Sequence, residues 1–164
     1  MVANLAPIAL EIHPLTPDRW TDLETLFGPR GAYGGCWRMW WRRSPAVFKR
    51  DKGAANRAAF QALVATEATP SGLLAYAATA PIGWCALAPR EEYPRLERSR
   101  AMARVDGAPV WSITCFFVSH RYRRQGVTTR LLTTAVAHAA SWGVRIVEGY
   151  PIDPCSPTLP DAFA

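Results

Sequence analysis

Lysine is nearly missing from this chain: Lys49 and Lys52 stand alone, so the 19 basic residues are almost all arginine. Arginine presents a planar fork that matches phosphate and carboxylate better than the point charge of lysine does. Against 13 acidic residues the balance is +6, which favours anionic partners. The arginines are scattered and form no continuous basic run, which argues against a nucleic-acid binder.

Other absences narrow the field further. The four cysteines, Cys36, Cys85, Cys115 and Cys155, form no CxxC pair and have no histidine at zinc-finger spacing, so no metal site is expected. No segment approaches the roughly 18 uninterrupted apolar residues of a membrane span, and the N-terminus lacks a basic stretch leading into an apolar one. These features predict a soluble cytoplasmic protein with reduced thiols. Neither repeats nor low-complexity tracts interrupt the sequence, and 164 residues with 49% hydrophobic content suit one domain over 1–164 with one substantial core.

What is present is an alternation of strand and helix signals. Ile8 to His13 is β-prone, and after Pro17 the residues Trp20, Leu23, Leu26 and Phe27 recur at helical spacing. Glycines 28, 31, 34 and 35 then break the periodicity around an aromatic cluster of Tyr33, Trp37, Trp40 and Trp41. The pattern predicts a helix over 56–67 with Asn56 as its cap, and a hairpin from Leu73–Thr79 and Ile82–Ala88. The charged stretch from Arg90 to Arg100 reads as a polar excursion. Its Glu91, Glu92 and Glu97 form either a solvated face or an attraction for a cationic acceptor.

Val110 to Val118 is apolar on both faces and predicts a buried central strand. The chain then turns through several arginines to Gly126, and a helix begins that carries Val127, Leu131, Ala135 and Ala139 on one stripe, with Gly143 as its stop. A helix start after a strand leaves main-chain N–H groups without partners and adds partial positive charge, the combination an anion needs. A further strand near Ile146 completes a β-loop-helix-β unit. The whole order, β-α-α-β-β-β-α-β, predicts an α/β (α+β) fold with a mixed sheet flanked by helices.

The run FFVSHRYRRQGVTTRLL resembles the acetyl-CoA-binding motif of the GNAT family of N-acetyltransferases, whose pattern of Arg or Gln, two residues, Gly, one residue, then Gly or Ala falls on Arg123, Gly126 and Thr128. Thr128 departs from the usual small residue. The resemblance extends from about Ile8 to Glu148. It implies a mostly antiparallel sheet and acetyl-CoA as acyl donor, with no metal. Its pyrophosphate would rest on main-chain amides around Arg124, Gln125, Gly126, Val127, Thr128 and Thr129, with Arg123, Arg124 or Arg130 adding charge. Phe116, Phe117 and Val118 would lie along the pantetheine arm, and the amide of Val118 or a neighbour would polarise the thioester carbonyl.

The reaction so implied is direct attack of an amine of a small molecule on the thioester, which needs a base for the amine and an acid for the thiolate. Ser112, Thr114 and Cys115 on the central strand supply no carboxylate. Strand alternation places Glu148 beside Val144 and Ile146, where desolvation would raise its pKa and make it a base; the other reading of Glu148 is an ion pair with an arginine. Tyr150 is the candidate acid. Tyr33, Trp37, Trp40 and Trp41 are candidates for an acceptor wall or for core packing. Relative to the family, the strands after Glu148 are missing, with only PIDPCSPTLPDAFA remaining. That predicts a C-terminally truncated domain, with pairing to a second copy through the open sheet edge. A catalytically silent acyl-CoA-binding module is the alternative function.

Overall fold

A computed structural model describes residues 9–151. Ile8, Cys155 and the proline-rich tail lie outside the described residues. Among the described residues, no helix is long and apolar enough to cross a membrane, and no group of His, Cys, Asp and Glu is placed to hold a metal ion.

The elements in chain order are β1 (Leu10–Pro14), α1 (Trp20–Phe27), α2 (Pro45–Arg50), α3 (Ala54–Thr66), β2 (Gly72–Ala77), β3 (Ala80–Pro89), α4 (Pro94–Glu97), β4 (Trp111–Val118), α5 (Val127–Ser141) and β5 (Val147–Gly149). Short 3₁₀ turns precede α1, α4 and α5. The strands form one sheet in the order β1-β2-β3-β4-β5, antiparallel except for the parallel pair β4–β5. The mixed, mostly antiparallel sheet and the final strand-helix-strand crossover are those expected from the sequence.

Alternation of side chains sorts the core into layers. Leu73, Ala75, Ile82, Cys85, Leu87, Trp111 and Ile113 pack under Val127, Leu131, Ala135 and Ala139, the apolar stripe of α5. On the opposite face Leu74, Tyr76, Trp84 and Ala86 pack with Trp20, Leu23, Phe27, Trp37, Phe48 and Phe60. The approach of α5 is close because β3 carries Gly83: a Cβ there would lie 3.0 Å from Val127 Cγ1 and 3.2 Å from Leu131 Cδ1.

The ladder between β3 and β4 is not even. Ala86 pairs with Cys115, but the next pair is Leu87 with Ile113, so Thr114 is an extra residue, a β-bulge. The bulge resets the alternation of β4. Trp111 and Ile113 face α5 before it, and Phe116 and Val118 face α5 after it, leaving Ser112, Cys115 and Phe117 on the other side.

Two local expectations are corrected. Asn56 does not cap α3; Gly53 does, and Asn56 is fully buried, its Nδ2 donating to Gly35 O at 3.2 Å. The helix α2 was missed, although Ser44 before Pro45 is its signal: Ser44 Oγ accepts from Val47 N at 3.4 Å.

Candidate acyl-transfer site

The loop between β4 and α5 is closed by Tyr122 N to Ser119 O at 2.9 Å and by Arg123 N to His120 O at 3.4 Å. The next main-chain bond is Arg130 N to Gly126 O at 3.0 Å. Among the described residues, the amides from Arg124 to Thr129 therefore have no main-chain acceptor. Arg124 at φ +59° and Gly126 at φ +77° turn the chain through left-handed conformations, and a Cβ at Gly126 would meet nothing within 4 Å. Open space thus faces a row of unpaired donors at the positive end of a 15-residue helix. Arg123, Arg124, Gln125, Thr128 and Thr129 are exposed and Val127 is buried. Two side chains brace the turn: Arg123 Nε donates to Val118 O at 3.1 Å, and Gln125 Nε2 to Arg121 O at 2.8 Å.

The adjoining strand is open on one side. β5 pairs with β4 only over Trp111–Val147, Ser112–Glu148 and Ile113–Gly149. From Thr114 to Val118 the outer edge of β4 has no strand partner among the described residues. Phe116, Phe117 and Val118 are half-buried there; Phe117 packs edge-on against Phe27 with centroids 5.7 Å apart.

Where β4 and β5 still pair, a buried polar cluster forms. Glu148 Oε1 receives Arg90 Nη1 at 2.6 Å, Ser112 Oγ at 2.7 Å, and the hydroxyl of Tyr150. Arg90 is 1% exposed and also donates to Glu97 Oε1 at 2.7 Å, to Tyr150 OH at 3.0 Å, and to the carbonyls of Leu96 and Met102. Burial pushes the Glu148 carboxyl up, but the bonds from Tyr150, Ser112 and Arg90 together hold it below the ordinary carboxylate range. The raised value expected from desolvation alone is thus overturned. Glu148 also lies on the opposite face from Val144, which packs under α5, because β5 begins only at Val147. Burial and the neighbouring carboxylate push Tyr150 up to about 12.

The expected acceptor wall is split. Trp37 belongs to the core, 5% exposed, with ring centroids 6.1 Å from Trp20 and 5.8 Å from Phe27. Tyr33 is exposed, and Trp40 is half-buried, edge-on to Phe48 and under the Arg95 guanidinium at 3.8 Å. Trp41 packs on Tyr93 and Leu96 near Tyr150. The glutamates of the excursion after β3 are paired with arginines, Glu92 with Arg42 at 2.9 Å, Glu91 with Arg104 at 2.6 Å, and Glu97 with Arg90 and Arg104, while Glu91 and Glu97 stay exposed. Arg90 was missed because nothing in a run of alternating charges marks one guanidinium as buried.

A splayed parallel edge beside a helix-terminal anion cradle is the architecture of a transferase that takes a nucleotide-bearing acyl donor. The chain belongs to the GNAT acetyltransferase family, whose pattern matches residues 35–150. No curated protein matches the sequence. Among solved structures it is similar to the aminoglycoside N-acetyltransferase AAC(6')-Iy in complex with CoA. That match has 16% identity and a TM-score of 0.57, covering 89% of this chain and 78% of that one. Aminoglycoside 6'-N-acetyltransferase AAC(6')-Ih from Acinetobacter baumannii matches at 19% identity and TM-score 0.53, covering 90% and 82%. Ribosomal-protein-alanine N-acetyltransferase from Brucella melitensis biovar Abortus 2308 matches at 13% and 0.52, covering 87% and 81%. The enzyme class, an acyl-CoA-dependent N-acyltransferase, follows from the family.

Proposed function

We propose that this protein transfers an acetyl group from acetyl-CoA to the amine of a small molecule by direct attack. The observation that carries the reading is the row of unpartnered amides from Arg124 to Thr129 beside the unpaired edge of β4. Those amides, with Arg123 and Arg124 at the rim, hold the pyrophosphate. Phe116, Phe117 and Val118 offer main-chain groups to the pantetheine amides, as an edge strand would. When bound, acetyl-CoA supplies a thioester carbonyl for the amine to attack. The Val118 amide or a neighbouring one polarises that carbonyl.

Glu148 is ionised at neutral pH and hydrogen-bonded to Ser112 and Tyr150, so these groups form a short relay by which the amine proton is taken away from the reacting centre. Tyr150, held protonated, is the donor nearest to this relay. The same geometry favours a second reading. Arg90 saturates Glu148, and a purely structural cluster there would leave a binding module that does not turn over.

Calorimetry with acetyl-CoA tests the cradle. Gly126→Val, which forces a β-branched residue into a left-handed turn, should weaken acetyl-CoA binding by at least about tenfold. Unchanged affinity in that variant would remove the cradle from the proposal. Thiol release with a panel of amines tests transfer, and Glu148→Gln should lower kcat if the relay operates. Acetyl-CoA binding without turnover of any amine would establish the binding module.

A further inference from the structure

Every donor on Arg90 is spent inside the protein. Of the guanidinium N–H groups, Nε donates to Glu97, Nη1 to Glu148 and Tyr150, and Nη2 to the carbonyls of Leu96 and Met102, which exhausts the set. Buried and fully bonded, Arg90 has nothing left for a ligand and is anchored to main chain. Whatever it contributes to a reaction passes through its partners.

Glu148 is bonded on one oxygen only. Arg90 Nη1 at 2.6 Å, Ser112 Oγ at 2.7 Å and the Tyr150 hydroxyl all reach Oε1. Among the described residues no donor reaches Oε2, and that oxygen is not sealed from solvent. An arginine that only neutralised the carboxylate would gain most from spanning both oxygens fork to fork. Here one oxygen is locked by three donors and the other is presented bare.

The sheet gives this asymmetry a use. Glu148 pairs with Ser112, and only the Ile113–Gly149 rung separates that pair from the point where β4 loses its neighbour. The bare oxygen thus belongs to a carboxylate at the mouth of the split.

Resting on the transferase reading, we infer that Arg90 is a positioning residue, pinning Glu148 through Oε1 so that Oε2 takes a proton from the acceptor amine at the mouth of the split. The acceptor ammonium passes one proton to Oε2, and the freed lone pair forms the C–N bond to the acetyl carbon. The tetrahedral adduct then breaks its C–S bond, and a second amine proton leaves with the CoA sulfur as thiol. Glu148 returns its proton to solvent.

The groups facing the carboxylate are Arg90 after β3, Ser112 on β4 and Tyr150 beyond β5. Behind them, Glu97 of α4 binds Arg90, Arg104 binds Glu97, and Tyr93 packs against Tyr150. Without the guanidinium, Glu148 keeps two neutral donors and ionises only at higher pH.

Thiol release would be followed across pH with the primary amine that is turned over best. The ratio of variant to wild-type kcat/KM at each pH cancels the titration of the amine itself. Arg90→Gln should lower kcat at least about tenfold at neutral pH while the acetyl-CoA dissociation constant stays unchanged. Its ratio should fall further on acidification, the acidic limb having moved up by about 1–3 pH units. Arg90→Lys keeps the charge but has too few donors for the same partners, and should restore the limb without restoring kcat. A flat ratio, with activity lost only in step with the folded fraction, overturns the inference. Should Arg90→Gln not fold, Arg90→Lys decides alone: reduced kcat with normal acetyl-CoA affinity supports the inference, and wild-type kcat overturns it. If no amine is turned over, the transferase reading fails by itself, and the carbon resonance of the Glu148 carboxyl decides this one. In protein saturated with CoA, n-butylamine should shift that resonance in wild type and not in Arg90→Lys. No shift in wild type, or equal shifts in both, overturns it.

Discussion

At the scale of single residues, Arg90 organises more of the site than any group named from the motif. It is buried under the end of β4, and it orients Glu148 and Tyr150 while tying the stretch after β3 through the carbonyls of Leu96 and Met102. Removing it strands a half-buried carboxylate. Arg90→Met should therefore destabilise the fold by about 3 kcal/mol, read from denaturant unfolding. The lowered pKa of Glu148 fixes the sign of a second outcome. A depressed carboxyl contributes stability above its ordinary value of 4.5 that disappears as pH falls through the folded value. The stability difference between wild type and Glu148→Gln should be constant from pH 7 to about 5.5 and shrink steadily below about 4.5. A difference that grows on acidification would contradict the hydrogen-bonded carboxylate. Glu148 and Tyr150 could be paired from sequence because two residues along a strand share a face. Arg90 could not, since its partners lie 58 and 60 residues away.

At the scale of elements, the unit most legible in the sequence is β4, its loop and α5. Strand apolarity, the glycine turn and the i, i+4 stripe agree there, and the structure follows them to within a residue at each end. The segment between α1 and α3 was not legible. Its glycines signalled a break, but its path depends on distant bonds such as Gly53 N to Gly35 O and Arg95 N to Trp41 O, which no local pattern encodes. The cap of α3 failed for the same reason, because Asn56 is committed to Gly35. The contact of β3 with α5 offers a test of how firmly the helix start is held. Gly83→Val pushes against Val127, the first residue of α5, and should cost about 1–3 kcal/mol while weakening acetyl-CoA binding. Normal affinity in a destabilised variant would show that the amide row tolerates displacement of the helix.

At the scale of the whole molecule, the helical layers pack on opposite faces of one sheet, so a ligand bridging β4 and the start of α5 should stabilise the fold as a unit. At one hundred times its dissociation constant, acetyl-CoA should add about 2.7 kcal/mol, or roughly 5–10 °C in Tm. CoA without the acyl group should give most of the same shift, because the contacts proposed here are to phosphate and pantetheine. A thermal scan without any shift at that saturation would count against the cradle. The layer order was readable from the alternation of elements, whereas the placement of charge was not. A net charge of +6 pointed to anions in general, and the distinction between arginines spent on internal glutamates and those left over required the folded contacts.

The extra residue at Thr114 works as a phase shift in an otherwise period-two message. Were Thr114 paired as an ordinary strand position, Cys115 and Phe117 would fall under α5, and Phe116 and Val118 would point at α1. A Thr114 deletion would remove the bulge and yet keep Cys115 and Phe117 on the α1 side and Phe116 and Val118 under α5, because plain alternation from Ile113 to Cys115 gives the same faces. In the unbulged register, by contrast, the thiol that meets Arg38 would turn away from it, and the edge beside the helix start would present a different set of side chains. Whether one residue is bulged or paired decides which wall of the molecule confronts an incoming amine.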